Sequence, residues 1–366
     1  MAAKNKVKLD AGPLDTKQVT VLEHNRELFP GRFSPDGKFI FAGSYDGNIY
    51  RWEVGAEFKK VALTGHHGWI QGLAFHPDGK RLFTGDSWGG ICCWNYADAE
   101  PKPLWTRENG HPNWMRCLAL SSDGKLLATC GADFVFRVWS AEDGSLKWES
   151  PVQETDLHTV IFHPKDGALL VGDLRGNVTQ WDIQSHKMVR KLDAKILYAR
   201  PMQQNNTPDI NEVGGVRCMA FSPDSKTLAC CGCQPTSSGF FTGKPAVVLI
   251  DWETGKTTHV LQGDGDIGEG MTHDVIWHPD GYLMATCCGQ AGKGAIYFWK
   301  PAEKSPFYVN KNLNSGRGMS VSVDVDALRI AFTQTNSSGG NGRAVTKDGE
   351  YIGGIGRIHV FEATKI

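Results

Sequence analysis

The sequence predicts an all-β protein assembled from one repeated unit of four short strands. Three observations predict this fold class. A turn motif recurs every 42–59 residues along the chain. The segments between its copies are short, rich in β-branched and aromatic residues, and bounded by Gly and Asp. No long stretch has the period of an amphipathic helix. Such a recurrence marks an array of one supersecondary unit, which overrides the two or three domains that 366 residues would otherwise suggest.

The recurring turn has the form Phe-x-Pro-Asp-Gly-Lys, with variations between copies. Its Pro, Asp and Gly residues favour a tight turn, each for its own backbone reason. The copies begin at Phe33, Phe75, Leu120, Phe162, Phe221 and Trp277. We interpret residues 323–327 (VDVDA) as a degraded seventh copy.

Each unit follows one plan after its turn motif. In the first unit an apolar run at residues 38–43 leads to a Gly/Asp turn at 44–47, an alternating strand at 48–52 that ends in Trp, and an outer strand at 59–63. Four such strands in roughly 45 residues match one blade of a propeller.

Several of these residues resemble the WD40-repeat family. Gly65-His66 precedes the Phe75 turn at the family's spacing, Trp181-Asp182 is the namesake dipeptide, and Asp251-Trp252 is its reverse. The resemblance covers about residues 17–364. It implies a closed ring of antiparallel sheets and, usually, a scaffold without enzymatic activity.

One tryptophan ends the third strand of each unit, so the six such residues predict six blades. They are Trp52, Trp94, Trp139, Trp181, Trp252 and Trp299. Residues 318–323, 328–335 and 356–361 supply three strands of a further blade, and we predict that residues 18–23 supply its fourth. The expected fold is therefore a single seven-bladed β-propeller of four-stranded antiparallel blades over residues 17–364. The N-terminal strand closes it by joining the last blade, after a flexible arm of residues 1–16. This pairing would leave no exposed edge to the array.

The resemblance also implies a buried, hydrogen-bonded tetrad of His, Ser or Thr, Asp and Trp in a complete blade. The third unit carries all four members, as His111, Thr129, Asp133 and Trp139. In the first unit Ala42 stands at the hydroxyl position, and in the second Trp88 stands where the Asp is expected. The later units lack the His, so the array is divergent, as many bacterial members are.

The extra residues of the chain fall in two kinds of connection, the links before the motif-bearing strand and the turns before the Trp strand. In this architecture both emerge at one end of the ring, which we call the top face. The insertions are residues 196–214, 233–244, 288–294 and 336–354. Long loops on one face of a rigid scaffold are a common location for binding. The alternative is neutral drift in tolerated surface loops.

By resemblance, positions six and four residues before each turn motif also face partners at the top face. Trp and Arg are over-represented among residues that dominate interface energies. For Trp69 and Trp114 the alternative is packing between neighbouring blades. The candidate partner-binding residues are Tyr45, Trp69, Gln71, Trp114, Arg116, His158, Arg217, His273, Arg317 and Met319.

Composition narrows the classes of partner. A net charge of −1 argues against a phosphate-binding surface, so we expect no nucleic-acid partner. No apolar run approaches a membrane span, so we expect no membrane partner. The first ten residues lack the apolar segment of a signal peptide, and we interpret the ten cysteines as reduced thiols of a cytoplasmic protein.

The sequence offers little for catalysis or cofactors. Alternation along a strand points Cys230 and Cys231 to opposite faces, which disfavours a shared zinc site. We therefore predict no cofactor, no metal and no catalytic residue, and a non-catalytic scaffold that binds a protein or peptide through its top face. One alternative is an enzyme or ligand-binding propeller, with a small-molecule or metal site at the channel mouth around His158, His273 and Asp156. Another is a structural subunit that is fixed through its blade edges.

Overall fold

The computed structural model describes residues 14–55, 57–199, 212–235, 243–263, 270–289, 294–311, 317–326, 328–335, 344–345, 351–352 and 355–365. Within these ranges the regular structure is β-strand, apart from one 3-10 turn at Lys195–Leu197. The predicted all-β class is confirmed. The described residues contain no helix of the length and apolarity that crossing a bilayer requires.

Four consecutive antiparallel sheets follow the first strand, each with its four strands in chain order. The first strand is β1 (Leu14–His24). The first sheet contains β2 (Leu28–Phe33), β3 (Phe39–Ser44), β4 (Asn48–Glu53) and β5 (Lys60–Thr64). The second contains β6 (Ile70–Phe75), β7 (Arg81–Asp86), β8 (Ile91–Asn95) and β9 (Pro103–Arg107). The third contains β10 (Met115–Leu120), β11 (Leu126–Gly131), β12 (Phe136–Ser140) and β13 (Leu146–Glu149). The fourth contains β14 (Leu157–Phe162), β15 (Leu169–Asp173), β16 (Asn177–Asp182) and β17 (Lys187–Asp193).

Two further groups of four strands follow a short two-stranded pair, β18 (Tyr198–Ala199) with β19 (Val213–Gly214). The fifth sheet contains β20 (Cys218–Phe221), β21 (Thr227–Pro235), β22 (Gly243–Asp251) and β23 (Thr257–Gln262). The sixth contains β24 (Gly270–Trp277), β25 (Leu283–Gly289), β26 (Gly294–Trp299) and β27 (Tyr308–Asn310). Pairing of Gly243 with Gly270 joins the two groups.

The last group, which we call the terminal sheet, combines both ends of the described chain. Its members after β1 are β28 (Arg317–Val323), β29 (Arg329–Thr335) and β32 (Gly356–Lys365), in the order β1-β32-β29-β28. A small pair, β30 (Ala344–Val345) with β31 (Tyr351–Ile352), lies between β29 and β32 in sequence. β1 runs antiparallel to β32, with Leu22 opposite Ile358. It begins at Leu14, before the boundary expected at residue 17, and Thr16 is buried and accepts a hydrogen bond from Asn310 Nδ2 at 2.7 Å. Residues 1–13 of the expected arm lie outside the described residues.

Consecutive sheets pack through their first strands. β2 contacts β6, and the contacts continue through β10, β14, β20, β24 and β28, which in turn contacts β2. Side chains reinforce the contact between β28 and β2, because the Gly31 N–H donates to Ser320 Oγ at 2.7 Å. The Asp274 carboxylate of β24 accepts from Arg32 Nη1 at 2.8 Å and from the Val321 N–H at 3.1 Å. One buried carboxylate therefore ties together strands of three sheets.

The apolar core lies between neighbouring sheets, as expected for stacked two-layer packing. Leu22 and Ile358 of the terminal sheet, for example, share one buried cluster with Leu28 and Ile40 of the first sheet. Each of the ten cysteines is a free thiol. Cys230 and Cys231 belong to different buried clusters on opposite faces of the fifth sheet, so the alternation expected along that strand is observed.

Candidate functional site

A backbone hydrogen bond fixes the residue that precedes the first strand in each of the first four sheets. In every case the N–H of a turn residue before the Trp strand donates to the carbonyl of this residue. The pairs are Tyr45 to Glu27 (3.1 Å), Ser87 to Trp69 (2.7 Å), Ala132 to Trp114 (2.9 Å) and Leu174 to Asp156 (2.9 Å). Because the main chain makes the bond, the side chain at this position differs from sheet to sheet without loss of the frame.

In the second and third sheets these backbone bonds hold Trp69 and Trp114 at the edge of a pocket of about 420 Å³, which we call the aromatic pocket. The β7–β8 turn and the β9–β10 link press together beneath it, and the Gly110 N–H donates to the Gly89 carbonyl at 2.8 Å. Gly89 has a φ of +85°, and a Cβ there would lie 2.2 Å from the His111 carbonyl oxygen, so only glycine fits. The lining residues are Trp69, Ser87, Trp88, Pro112, Asn113 and Trp114.

Of the twelve tryptophans in the chain, the three that are exposed all line this pocket. Trp88 is 70% exposed, Trp69 is 43% and Trp114 is 39%. Trp69 stacks on Tyr45 with ring centroids 4.6 Å apart and meets Trp114 edge-on at 5.7 Å. Tyr45, Trp69 and Trp114 therefore form one continuous aromatic surface over three sheets. Contacts between Trp69 and Trp114 do join neighbouring sheets, but they leave a large part of both rings in solvent.

The aromatic surface continues into a group of nitrogen-bearing side chains. The Arg116 guanidinium lies 5.5 Å from the Trp114 ring, and its Nη2 donates to Asp156 Oδ2 at 3.0 Å. His158, on the neighbouring strand β14, is only 6% exposed. Burial first, and then the charges of Arg217 and Arg116, hold the pKa of His158 well below its ordinary value, so this ring is neutral at pH 7. We call Arg116, His158 and Arg217 the basic recess.

The remaining predicted partner-binding residues lie outside these two features. Gln71 follows Ile70 in β6, and its Nε2 is buried without a hydrogen-bond partner among the described residues. His273, in β24, has its Nε2 3.0 Å from the sulfur of Cys288. Arg317 and Met319 are in β28, but their side chains lie outside the description.

The four predicted tetrad residues of the third sheet are hydrogen-bonded to one another. His111 Nδ1 lies 3.0 Å from Asp133 Oδ1, His111 Nε2 lies 2.7 Å from Thr129 Oγ1, and Trp139 Nε1 donates to Thr129 Oγ1 at 2.9 Å. Arg137 adds a buried ion pair, with Nη1 2.7 Å from Asp133 Oδ2. Burial lowers the pKa of His111 although the Asp133 carboxylate opposes the shift.

In the second sheet, where Trp88 stands at the position expected for the Asp, another residue supplies the carboxylate. Asp86, at the end of β7, takes that role: its Oδ2 lies 2.9 Å from His66 Nδ1, while His66 Nε2 lies 2.6 Å from Thr84 Oγ1. Trp94 Nε1 completes the network by donating to Thr84 Oγ1 at 2.8 Å. Burial would raise the pKa of Asp86, but the bonds from His66 and from turn N–H groups lower it.

Because Asp86 supplies the carboxylate that bonds His66, the exposed Trp88 side chain has no role in the buried network. Asp86 Oδ1 accepts the N–H groups of Trp88 (2.8 Å) and Gly90 (3.0 Å), which caps the turn in a manner typical of Asp. The Trp88 side chain points into the aromatic pocket instead. Sequence reasoning missed Trp88, Ser87, Pro112 and Asn113. The available signal was an Asp at the first turn position, in Asp86-Ser87-Trp88-Gly89.

The family model for the WD domain, G-beta repeat, matches residues 28–53, 58–95, 101–140 and 211–235. Over these four segments the chain is similar to the WD40 repeat. The first three matches cover the first three sheets apart from the outer strand β13, and the fourth includes β20 and β21 of the fifth sheet. WD40 repeats generally mediate protein–protein interactions and are generally non-catalytic. No curated protein matches the chain.

The histidines of the Pro-Asp-Gly turns contact neighbouring turn residues. His76 Nε2 lies 3.0 Å from the Gly124 carbonyl oxygen of the next sheet, and His163 Nε2 lies 3.2 Å from the Ser225 carbonyl oxygen. His278 is buried and stacks on Tyr282 at 4.3 Å. In the part of the chain that is described, no three His, Cys, Asp or Glu side chains gather in a geometry that could hold a metal ion.

The structure describes only part of each predicted insertion. In the insertion at 196–214, β18 pairs with β19, and Glu212 Oε1 accepts from Arg175 Nε at 3.0 Å and from the Tyr198 hydroxyl at 2.7 Å. In the insertion at 233–244, β21 and β22 stay paired as far as Pro235 and Gly243. Residues 200–211, 236–242 and 290–293, most of 336–354, and the acidic run at 264–269 lie outside the described residues.

Proposed function

We propose that this WD40-repeat protein is a non-catalytic scaffold that binds a protein or peptide through its top face. The observation that carries the proposal is the placement of the three exposed tryptophans in one pocket. The backbone bond that fixes Trp69 and Trp114 is also made by Glu27 and Asp156, so the fold does not require an aromatic ring there. Exposed aromatic patches on an otherwise polar surface are typical of interaction sites.

The proposed scaffold is a closed ring of seven blades. Three observations support it: the four-strand groups of the first to sixth sheets and the terminal sheet, the return of the first-strand contacts from β28 to β2, and the pairing of β1 with β32. A ring closed in this way presents a rigid rim, and a preformed rim binds without a large cost in conformational entropy. A cytoplasmic location stays a prediction.

The first prediction concerns capture of the partner. Trp69→Ala with Trp114→Ala removes two walls of the aromatic pocket and leaves the backbone frame intact. Because buried Trp anchors in interfaces each contribute about 2 kcal/mol or more, we expect the double variant to retain the partner at least about tenfold less. The measurement is quantitative mass spectrometry of proteins held by immobilised wild type and variant from a native lysate, paired with thermal unfolding.

The matched control is Met188→Ala with Val189→Ala, which removes two exposed apolar side chains from the outer strand β17. The control variant should retain the same proteins as the wild type. The proposal fails if no protein distinguishes the double Trp variant from this control. A fall in the melting temperature of more than a few degrees would instead assign Trp69 and Trp114 to packing between blades.

The alternative of a metal or small-molecule site around His158, His273 and Asp156 also stays a prediction. Asp156 is bonded by Arg116, His273 lies against Cys288, and the pKa of His158 is lowered by burial and by two cations. Asp156 and His273 are therefore engaged with different partners, and the cations beside His158 disfavour a metal ion there. Elemental analysis of the purified protein is the direct test, since a stoichiometric metal would favour the alternative.

A further inference from the structure

The basic recess brings together side chains from three neighbouring sheets. Arg116 is in β10, His158 is in β14, and Arg217 immediately precedes β20. β10 contacts β14, and β14 contacts β20, so these residues occupy corresponding places on adjacent inner strands. Gln71 holds the same place on β6, which contacts β10. The four side chains therefore follow one another around the inner wall at the top face.

Each of these four side chains has a buried nitrogen without a hydrogen-bond partner among the described residues. The atoms are Gln71 Nε2, Arg116 Nε, His158 Nδ1 and Arg217 Nε. A buried polar atom that lacks a partner costs roughly 1–3 kcal/mol, and more when the group is charged. Four such atoms on adjacent strands are unusual, because buried polar groups are nearly always bonded. Gln71 Nε2, Arg116 Nε and Arg217 Nε are all N–H donors, so three of the four atoms lack an acceptor.

The recess also has an excess of positive charge. Asp156 offsets the charge of Arg116 through their 3.0 Å ion pair, but among the described residues no carboxylate pairs with Arg217. Burial first, and then the charge of Arg116, lowers the pKa of Arg217, although the thiols of Cys233, Cys231 and Cys288 oppose the shift. Burial raises the pKa of the Cys233 thiol to about 11, so it is neutral at pH 7 and cannot balance Arg217.

We propose that the basic recess binds a carboxylate. A carboxylate supplies the acceptors and the negative charge that the recess lacks, and its geometry suits the planar fork of an arginine. The recess adjoins the aromatic pocket through Arg116 and Trp114, which are 5.5 Å apart. A single partner segment can therefore place an apolar side chain in the pocket and an Asp or Glu side chain in the recess. The partner as source of the carboxylate rests on the proposed function, whereas binding of the carboxylate itself does not.

The test uses glutarate as the probe, titrated into the full-length protein by calorimetry at constant ionic strength, with inorganic phosphate in parallel. We expect saturable glutarate binding by the wild type and at least about tenfold weaker binding by Arg217→Gln, the loss typical of one charge-assisted hydrogen bond. The matched control Arg107→Gln removes the same charge from the outer strand β9 and should bind as the wild type does. Binding of phosphate but not glutarate would overturn the assignment to carboxylates.

A second readout separates binding from a structural role. Removal of an unpaired, partly buried cation should leave the melting temperature unchanged or raise it, whereas loss of a structural arginine would lower it. Arg217→Met, of similar volume, serves if the Gln variant does not fold. The inference is overturned if the wild type shows no saturable glutarate binding, or if both Arg217 variants bind as tightly as the wild type.

Two further arms identify the source of the carboxylate. If the partner supplies it, Arg217→Gln weakens retention of the same proteins that Trp69→Ala with Trp114→Ala loses, and glutarate competes with them. If glutarate binds but no protein is lost, the carboxylate site stands and the proposed function fails. The last arm neutralises the three carboxylates of the acidic run at 264–269 by combining Asp264→Asn, Asp266→Asn and Glu269→Gln. If glutarate binds only to this variant, the chain supplies its own carboxylate and the inference of an external ligand is wrong.

Discussion

The second and third sheets differ from the sixth and terminal sheets at one buried position of the second strand. Thr84 and Thr129, in the second strand of their sheets, each bond a histidine and a tryptophan. Both lie opposite the residue two before the Trp of the next strand. The corresponding residues of β25 and β29 are Ala285, opposite Tyr297, and Phe332, opposite His359, and neither has a hydroxyl. Thr286 and Thr333 lie one residue further along and are fully buried, and their hydroxyls have no partner among the described residues.

A histidine completes the polar network around the threonine of the second and third sheets. His66 and His111 reach down from the links before β6 and β10 to the threonine of their own sheet, and a carboxylate holds each ring from the other side. The sixth and terminal sheets have Ala285 and Phe332 in place of this threonine. They are held by apolar packing instead, with Met284, Ile296 and Phe298 against Val321, Phe332 and Phe361. One four-strand plan is thus stabilised by a polar network in one region and by packing in another.

The largest expected effect comes from the sheet that spans both ends of the chain. Deletion of residues 1–24 removes β1, exposes the edge of β32 and uncovers the cluster that contains Leu22, Leu28 and Ile358. We expect the loss of a single cooperative unfolding transition, because the terminal sheet would lose its fourth strand. Deletion of residues 1–13 is the control and should unfold as the full chain does. Equal denaturation curves for both deletions would show that β1 is dispensable.

A smaller effect is expected in the polar region. His111→Ala leaves Asp133 and Thr129 buried with fewer partners, and should lower the free energy of unfolding by about 2–4 kcal/mol. His67→Ala, at the exposed residue beside His66, is the control and should change it by less than about 0.5 kcal/mol. Urea denaturation of the three proteins measures the difference. A cost below about 1 kcal/mol for His111→Ala would mean that packing dominates in this sheet too.

The smallest expected effect separates a hydrogen-bonded buried threonine from an unpartnered one. Thr129→Val breaks the bonds to His111 and Trp139 and should cost about 1–3 kcal/mol, since both partners stay buried. Thr286→Val is nearly isosteric and removes only an unpartnered hydroxyl, so the free energy of unfolding should stay the same or rise by up to about 1 kcal/mol. If urea denaturation gives the same loss in the free energy of unfolding for both substitutions, the proposed difference between the two regions is wrong.

The periodic features of the fold could be read from the sequence. The turn motif, the strand that ends in Trp and the family resemblance all follow from local pattern, and each of the six predicted turns connects the first two strands of a sheet. The pairing of residues 18–23 with the last strand could be predicted because an array with unpaired edges is unfavourable. The tetrad residues of the third unit were named because all four stand at the expected spacing.

The candidate site could be predicted only in outline. Counting positions assigned the carboxylate place of the second unit to Trp88, because the count assumed that Asp stands at the third turn position, as Asp46 and Asp133 do. Asp86 reaches His66 from the first turn position while its other oxygen caps the turn. Residue spacing alone does not reveal that Asp86 can take the carboxylate role from a different turn position. With Asp86 in that role, the Trp88 side chain lines the aromatic pocket.

By itself the sequence determined the repeat, the strand order and the residue types at the top face, because turn chemistry and alternation act over a few residues. The tertiary structure alone decided which of those residues meet. Trp69, Trp88 and Trp114 come from three different connections, and Arg116, His158 and Arg217 from three different sheets. Their neighbourhood depends on how the sheets pack against one another, and packing between sheets leaves no period in the chain.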